Sequence, residues 1–215
     1  MRLARTYAQA GVLALAGVTC VAVAIASQHE AVQVPLAVPT PTLPVTPAPT
    51  LSAPVPTVLT LPASMPASLA IPAIHVRAAL LHVGQAADGT LAVPPPGPHY
   101  DQPAWYRHSP TPGALGPSVI VGHIDSKSGG PSVFFRLGEL KRNDPIRVTR
   151  ADGSVAVFAV DDVRRFHKAD FPSQLVYGNT DHAALRLITC GGPFDRTTGH
   201  YVDNIIVTAT LLRAA

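Results

Sequence analysis

The chain has 215 residues, enough for one ordinary domain with extra segments. Its formal net charge is +3, and its 16 Lys and Arg residues are scattered with no run of five or six, which argues against a nucleic-acid partner. Between Arg5 and Arg77 the only charged residue is Glu30, so nearly all ionisable chemistry falls after residue 70, in about 145 residues that suffice for one domain with a real core.

Thr6 to Ser27 is a run of 22 residues without charge, spanning roughly 33 Å as a helix, enough for a bilayer core. Arg2 and Arg5 precede it and no Lys or Arg follows before Arg77, which predicts a single-pass anchor with a cytoplasmic N-terminus and the remainder outside. A cleaved signal peptide is the competing reading, with small residues at Ala24-Ile25-Ala26, and it exports the same domain. Residues 28–68 are rich in Pro, Thr, Val, Ala and Leu, without helical or strand period. They read as a disordered, extended spacer that reaches on the order of 100 Å. The folded domain is expected over residues 69–215.

Within it, β-branched runs start at Ile71 and continue through Val83. Asp88-Gly89 signals a turn before a strand over Thr90 to Val93, ended by Pro94-Pro95-Pro96. Ser118 to Gly122 is a short apolar strand that runs into His123. Val133 to Leu137 suggests a helical turn or an apolar plug, and Phe171 to Tyr177 another helical turn. Strands are predicted over Ile146 to Arg150, Val155 to Val163, Ala184 to Thr189 and Asn204 to Leu212. Many short strands, Gly/Pro turns and no long amphipathic helix point to a mostly β barrel or sandwich.

There are two cysteines, Cys20 in the apolar run and Cys190 in the domain; a bridge between them would join a membrane helix to a distant domain. Cys190 stands at the end of a predicted strand, before Gly191-Gly192, where the backbone turns sharply and a substrate can come close. A thiolate is a strong nucleophile that needs a base or positive charge nearby. His123 is the best partner, at another predicted strand end in Gly122-His123-Ile124-Asp125. An anionic tetrahedral intermediate needs cations or N–H donors. Arg186 lies on the Cys190 strand at roughly 13 Å, whereas Arg196 lies in Phe194-Asp195-Arg196-Thr197-Thr198-Gly199, a loop able to fold back over the thiol. An inert buried Cys190 in a tethered, wall-binding β-domain is the non-enzymatic reading.

Taken together, IPAI at Ile71, GTLAVPP at Gly89, Ala104-Trp105-Tyr106, SVIVGHID around His123, FFRLGEL at Phe134 and LRLITCGGPFDRTTGHYVDNIIV at Leu185 resemble the sortases, and more narrowly the actinobacterial class E/F group. The resemblance covers residues 70 to 212. It implies an eight-stranded β-barrel and a His123, Cys190 and Arg site. The implied reaction is transpeptidation: cleavage of an LPXTG-like sorting signal, a thioacyl enzyme, then transfer to an amine of a cell-wall precursor or peptidoglycan. No metal or organic cofactor is implied. The family's Arg usually sits at the approach to the last strand; here that approach reads Tyr201-Val202-Asp203-Asn204, so the role passes to Arg196. Thr189, Gly191 and Asp125 are the expected substrate-binding neighbours, with loop capping an equal role for Asp125. An L,D-transpeptidase is a further enzyme reading, but its Ser-x-Gly-Cys context is absent, since Thr189 and Gly191 flank the thiol.

Overall fold

A computed structural model describes residues 58–126 and 130–215; the expected anchor, and the expected spacer as far as residue 57, lie outside the described residues. No helix among the described residues is long and apolar enough to cross a membrane. Among the described residues the strands are β1 (Pro66–Ile71), β2 (Val76–Ala79), β3 (Leu81–Val83), β4 (Ala104–Tyr106), β5 (Gly116–Val121), β6 (Pro145–Arg150), β7 (Val155–His167), β8 (Ala183–Asp195) and β9 (His200–Ala214), with one short α-helix, α1 (Ser173–Tyr177), and three single 3-10 turns.

All nine belong to one sheet in the order β2-β1-β6-β7-β9-β8-β5-β4-β3. The two strands at its ends, β2 and β3, follow one another in the chain with only Leu80 between them. The sheet must therefore curl until its edges meet, and Leu80 sits at the seam, buried, with its N–H on the Ala67 carbonyl while Leu81 N–H reaches Pro103. The result is a nearly closed, mostly β barrel. It has nine strands rather than the expected eight, because the run from Ile71 to Val83 breaks into pieces that pair on opposite edges and Ala104–Tyr106 pairs with both β3 and β5.

Strands differ in length from the sequence expectation for local reasons. Thr90 to Val93 forms no strand, only a single bridge between Gln85 and Leu91. Asp88 accepts bonds from the N–H and hydroxyl of Thr90, closing a tight turn, and the prolines that follow lack the N–H donors a ladder needs. β8 does not stop at Thr189 but runs on to Asp195. Its ladder with β9 is interrupted between Gly191 and Phe194, where Gly192 takes a left-handed φ of 74°, the conformation a bulge asks of glycine. Residues before 69 also make contacts with the domain. Leu61 N–H bonds the Gly113 carbonyl, and the buried Arg150 guanidinium holds the Pro62 carbonyl and Ser154 hydroxyl.

β5 and β8 are parallel, and the six residues of β5 are all buried. A parallel pair covered on both faces reads as a continuous apolar run rather than an alternating one. Inward, Ile120, Leu185, Leu187, Ile205 and Val207 join Phe134 and Phe158 in the barrel core. Outward, Val119, Val121, Ile188 and Ile206 form a second apolar cluster with Tyr106, Phe166 and Phe171. Val133 to Leu137 is the apolar plug, with Phe134 and Leu137 fully buried; each such side chain contributes about 2–3 kcal/mol of burial.

Candidate active site

Register builds the site. β5 runs parallel to β8 with Val121 beside Ile188, and Gly122 N–H continues the ladder onto the Ile188 carbonyl at 3.1 Å. Two residues past that last rung come Cys190, still within β8, and His123, just beyond the end of β5. Cys190 keeps the outward parity of Ile188, since side chains alternate along a strand. On the other side Cys190 pairs with Asn204 of β9, and Asn204 pairs with Phe166 of β7. A row Cys190, Asn204, Phe166 thus crosses β8, β9 and β7, with His123 just past the end of β5 on the other side.

His123 and Cys190 line one cavity of about 1260 Å³, whose wall also includes Lys168, Ile188, Phe171 and Tyr177. His123 is held from two sides. Its Nε2 bonds the Pro94 carbonyl at 2.9 Å, so that nitrogen carries the hydrogen and Nδ1 is left for other work. Tyr100 lies flat on the ring. Behind it Gly122 is required: a Cβ there would meet Phe134 Cδ2 at 2.6 Å and Val133 Cγ1 at 2.8 Å.

Cys190 is a free, half-buried thiol. Burial pushes its pKa up, and the Asp125 carboxylate pushes the same way; the Lys168 ammonium opposes both by its charge and its N–H donors. The balance favours the protonated thiol, so a partner that favours the ionised form makes attack easier.

The other expected residues fall in different places. Asp125 reaches the site: its Oδ2 accepts the Tyr201 hydroxyl at 2.7 Å, which ties the segment after His123 to β9. Burial and that carboxylate push the Tyr201 phenol far above its ordinary range, so it remains a donor. Gly191 is buried against Ile205, where a Cβ would approach Cγ1 to 2.7 Å. Thr189 borders the cavity, but its side chain shares the inward parity of Leu187, and its hydroxyl is buried. Arg186 turns away to the Leu175 and Leu185 carbonyls. Arg196 is exposed on the turn between β8 and β9 and is not part of the cavity wall. The ladder resumes at Phe194 with Tyr201 and Asp195 with His200, so this segment is a hairpin end rather than a loop folded back over the thiol.

Lys168, Tyr100, Pro94 and Tyr201 are site residues the sequence did not single out. Pro94 and Tyr201 stood inside the quoted motif stretches without a role of their own, and Tyr100 and Lys168 stood outside them. Among the described residues no group of three or more His, Cys, Asp or Glu side chains is arranged to hold a metal ion.

The sortase-domain family model matches residues 69–212. Solved structures with the same fold include sortase A of Listeria monocytogenes, at TM-score 0.52 and 16% identity over 70% of this chain and 89% of that one. Sortase C-3 of Streptococcus pneumoniae is similar at TM-score 0.51 and 18% identity over 71% and 65%. Sortase A from Corynebacterium diphtheriae is similar at TM-score 0.50 and 21% identity over 71% and 62%. No curated protein matches the chain by sequence.

Proposed function

Because the chain belongs to the sortase family, we propose that it is a cysteine transpeptidase, of the class E/F group, with Cys190 as nucleophile and His123 as its proton carrier. The observation that carries this reading is that both side chains line one cavity, just past the last rung of the parallel β5–β8 ladder. The substrate is a protein ending in an LPXTG-like signal. Tyr106, Phe171, Tyr177 and Ile188 give the cavity apolar surface of the kind that suits the Leu and Pro of such a motif.

In the first half-reaction the Cys190 thiolate attacks the carbonyl carbon after Thr, forming a C–S bond and a tetrahedral oxyanion. Collapse breaks the C–N bond, and protonated His123 delivers its proton to the departing amine, leaving a thioester. In the second, an incoming cell-wall amine attacks the thioester. His123 takes up the amine's proton, and collapse releases the Cys190 thiolate with a new amide. The apolar run Thr6 to Ser27 and the Pro-rich spacer support a membrane-anchored enzyme working outside the cell.

The test is a peptide library carrying LPXTG-like motifs, incubated with the full chain and an acceptor amine. Cleavage after Thr, a mass increment on Cys190 when the acceptor is withheld, and loss of both in Cys190→Ala with an unchanged circular dichroism spectrum are expected. Turnover retained in Cys190→Ala overturns the reading.

A further inference from the structure

The chemistry of Cys190 calls for a positive charge, both to favour a half-buried thiolate and to meet the oxyanion that follows. The position directly across β9 from the thiol is occupied by Asn204, which is neutral. Arg186 is engaged by carbonyls and Arg196 lies outside the wall. Among the described residues lining the cavity, the one Lys or Arg is Lys168.

The fold explains how it gets there. β7 pairs with β9 as far as Phe166 with Asn204 and His167 with Asp203. Lys168 is the next residue, at the first turn after β7, two strands from Cys190. Strands lie about 4.8 Å apart and residues about 3.3 Å apart along a strand, so Lys168, two residues past Phe166 in that row, starts roughly 12 Å from Cys190, and the side chain standing between is the short Asn204. A four-carbon stem with a mobile ammonium can cross much of that distance. The Asp203 carboxylate, nearest to the end of β7, does not compete: it is buried and taken by Arg165 and His167. The ammonium also acts on the thiol electrostatically, against the pull of burial and Asp125.

We propose that Lys168 is the cationic partner of Cys190, holding its ammonium beside the sulfur, where it favours the thiolate and then the oxyanion formed on attack. This rests on Cys190 as the nucleophile. Lys168 after β7, Asp125 after β5, Tyr100 from the Pro-rich segment and Tyr201 of β9 act on the thiol electrostatically, and His123, His108, His200, Tyr106 and Tyr177 share its cavity wall.

The experiment compares wild type, Lys168→Met, Lys168→Arg and Arg196→Ala as full chains. Alkylation of Cys190 by iodoacetamide is followed against pH, with peptide mass mapping to separate Cys190 from Cys20. Peptide cleavage gives kcat and KM. For Lys168→Met, alkylation at neutral pH should slow by roughly three- to tenfold and its profile should move to higher pH. kcat should fall by at least about tenfold with KM within about twofold, and Lys168→Arg should restore part of both. An alkylation profile in Lys168→Met that matches wild type overturns the proposal. So does a displacement produced by Arg196→Ala and not by Lys168→Met. If wild type cleaves no sorting peptide but Lys168→Met still displaces the thiol profile, the transpeptidase reading fails while the Lys168–Cys190 pairing stands.

Discussion

Tyr100 lies face to face with His123, ring centroids 3.9 Å apart and planes within 6°. The contact joins a residue from a Pro-rich surface segment to the imidazole at the end of β5. The same segment supplies the Pro94 carbonyl that fixes the ring's Nε2. One stretch of chain thereby sets both the tilt and the tautomer of the His123 ring.

Removing the stack should loosen the imidazole without unfolding the barrel. Aromatic pairs of this kind are worth about 0.5–1.5 kcal/mol. If that energy is spent on orientation, Tyr100→Ala should lower kcat for peptide cleavage about threefold to tenfold. Tyr100→Phe should keep most of the rate, because the ring and not the hydroxyl makes the contact. Steady-state kinetics on the two variants checks this; equal losses would contradict a stacking role.

Asp125 gives a prediction of opposite sign to that for Lys168. Its carboxylate pushes the Cys190 pKa up, so Asp125→Asn should bring it down. The thiolate fraction at neutral pH then rises, and the alkylation profile moves to lower pH. The amide oxygen can still accept from Tyr201, so the tie to β9 survives. Alkylation kinetics between pH 6 and pH 10 (roughly the range in which thiols titrate) should show the displacement.

Gly122 tests the wall behind His123. A methyl group there must push Phe134 and Val133, of which Phe134 is fully buried. Gly122→Ala should cost about 1–3 kcal/mol of stability and also displace the imidazole. Activity should therefore fall further at 25 °C than the folded fraction does, as measured by thermal melts alongside turnover.

Phe134→Ala separates stability from chemistry. The side chain is at 0% exposure in the barrel core, next to the backbone that leads into His123. Its loss should cost about 3–5 kcal/mol in urea unfolding. A cost below about 1 kcal/mol would mean that the plug contributes little to the core.

The mostly β character was legible because strands such as Ile146 to Arg150 and Val155 to Val163 carry β-branched alternation between Gly turns. That His123 and Cys190 line one cavity was legible because each follows an apolar strand and borders a glycine. β4 escaped because Ala104-Trp105-Tyr106 is three residues long, set among turn formers, and its pairing with β3 and β5 is invisible locally. The last third of β7 escaped because Asp161, Asp162, Arg164 and Arg165 break the apolar period; Arg165 finds its carboxylate, Asp203, only across the sheet. Lys168 was illegible for the same reason. Its place depends on the β7–β9 register, which two bulges shift. Arg196 looked better placed because the Gly191-Gly192 pair reads as a strand end, whereas it is a bulge within a longer strand.

The parallel pairing of β5 with β8 joins stretches as distant in the chain as Ser118 and Leu185. Contacts so far apart are among the last to be made as a polypeptide folds. Until they form, the molecule carries an ordinary sulfhydryl on one segment and an ordinary imidazole on another. Catalytic competence should therefore switch on late during refolding, and its first appearance would time the completion of the barrel.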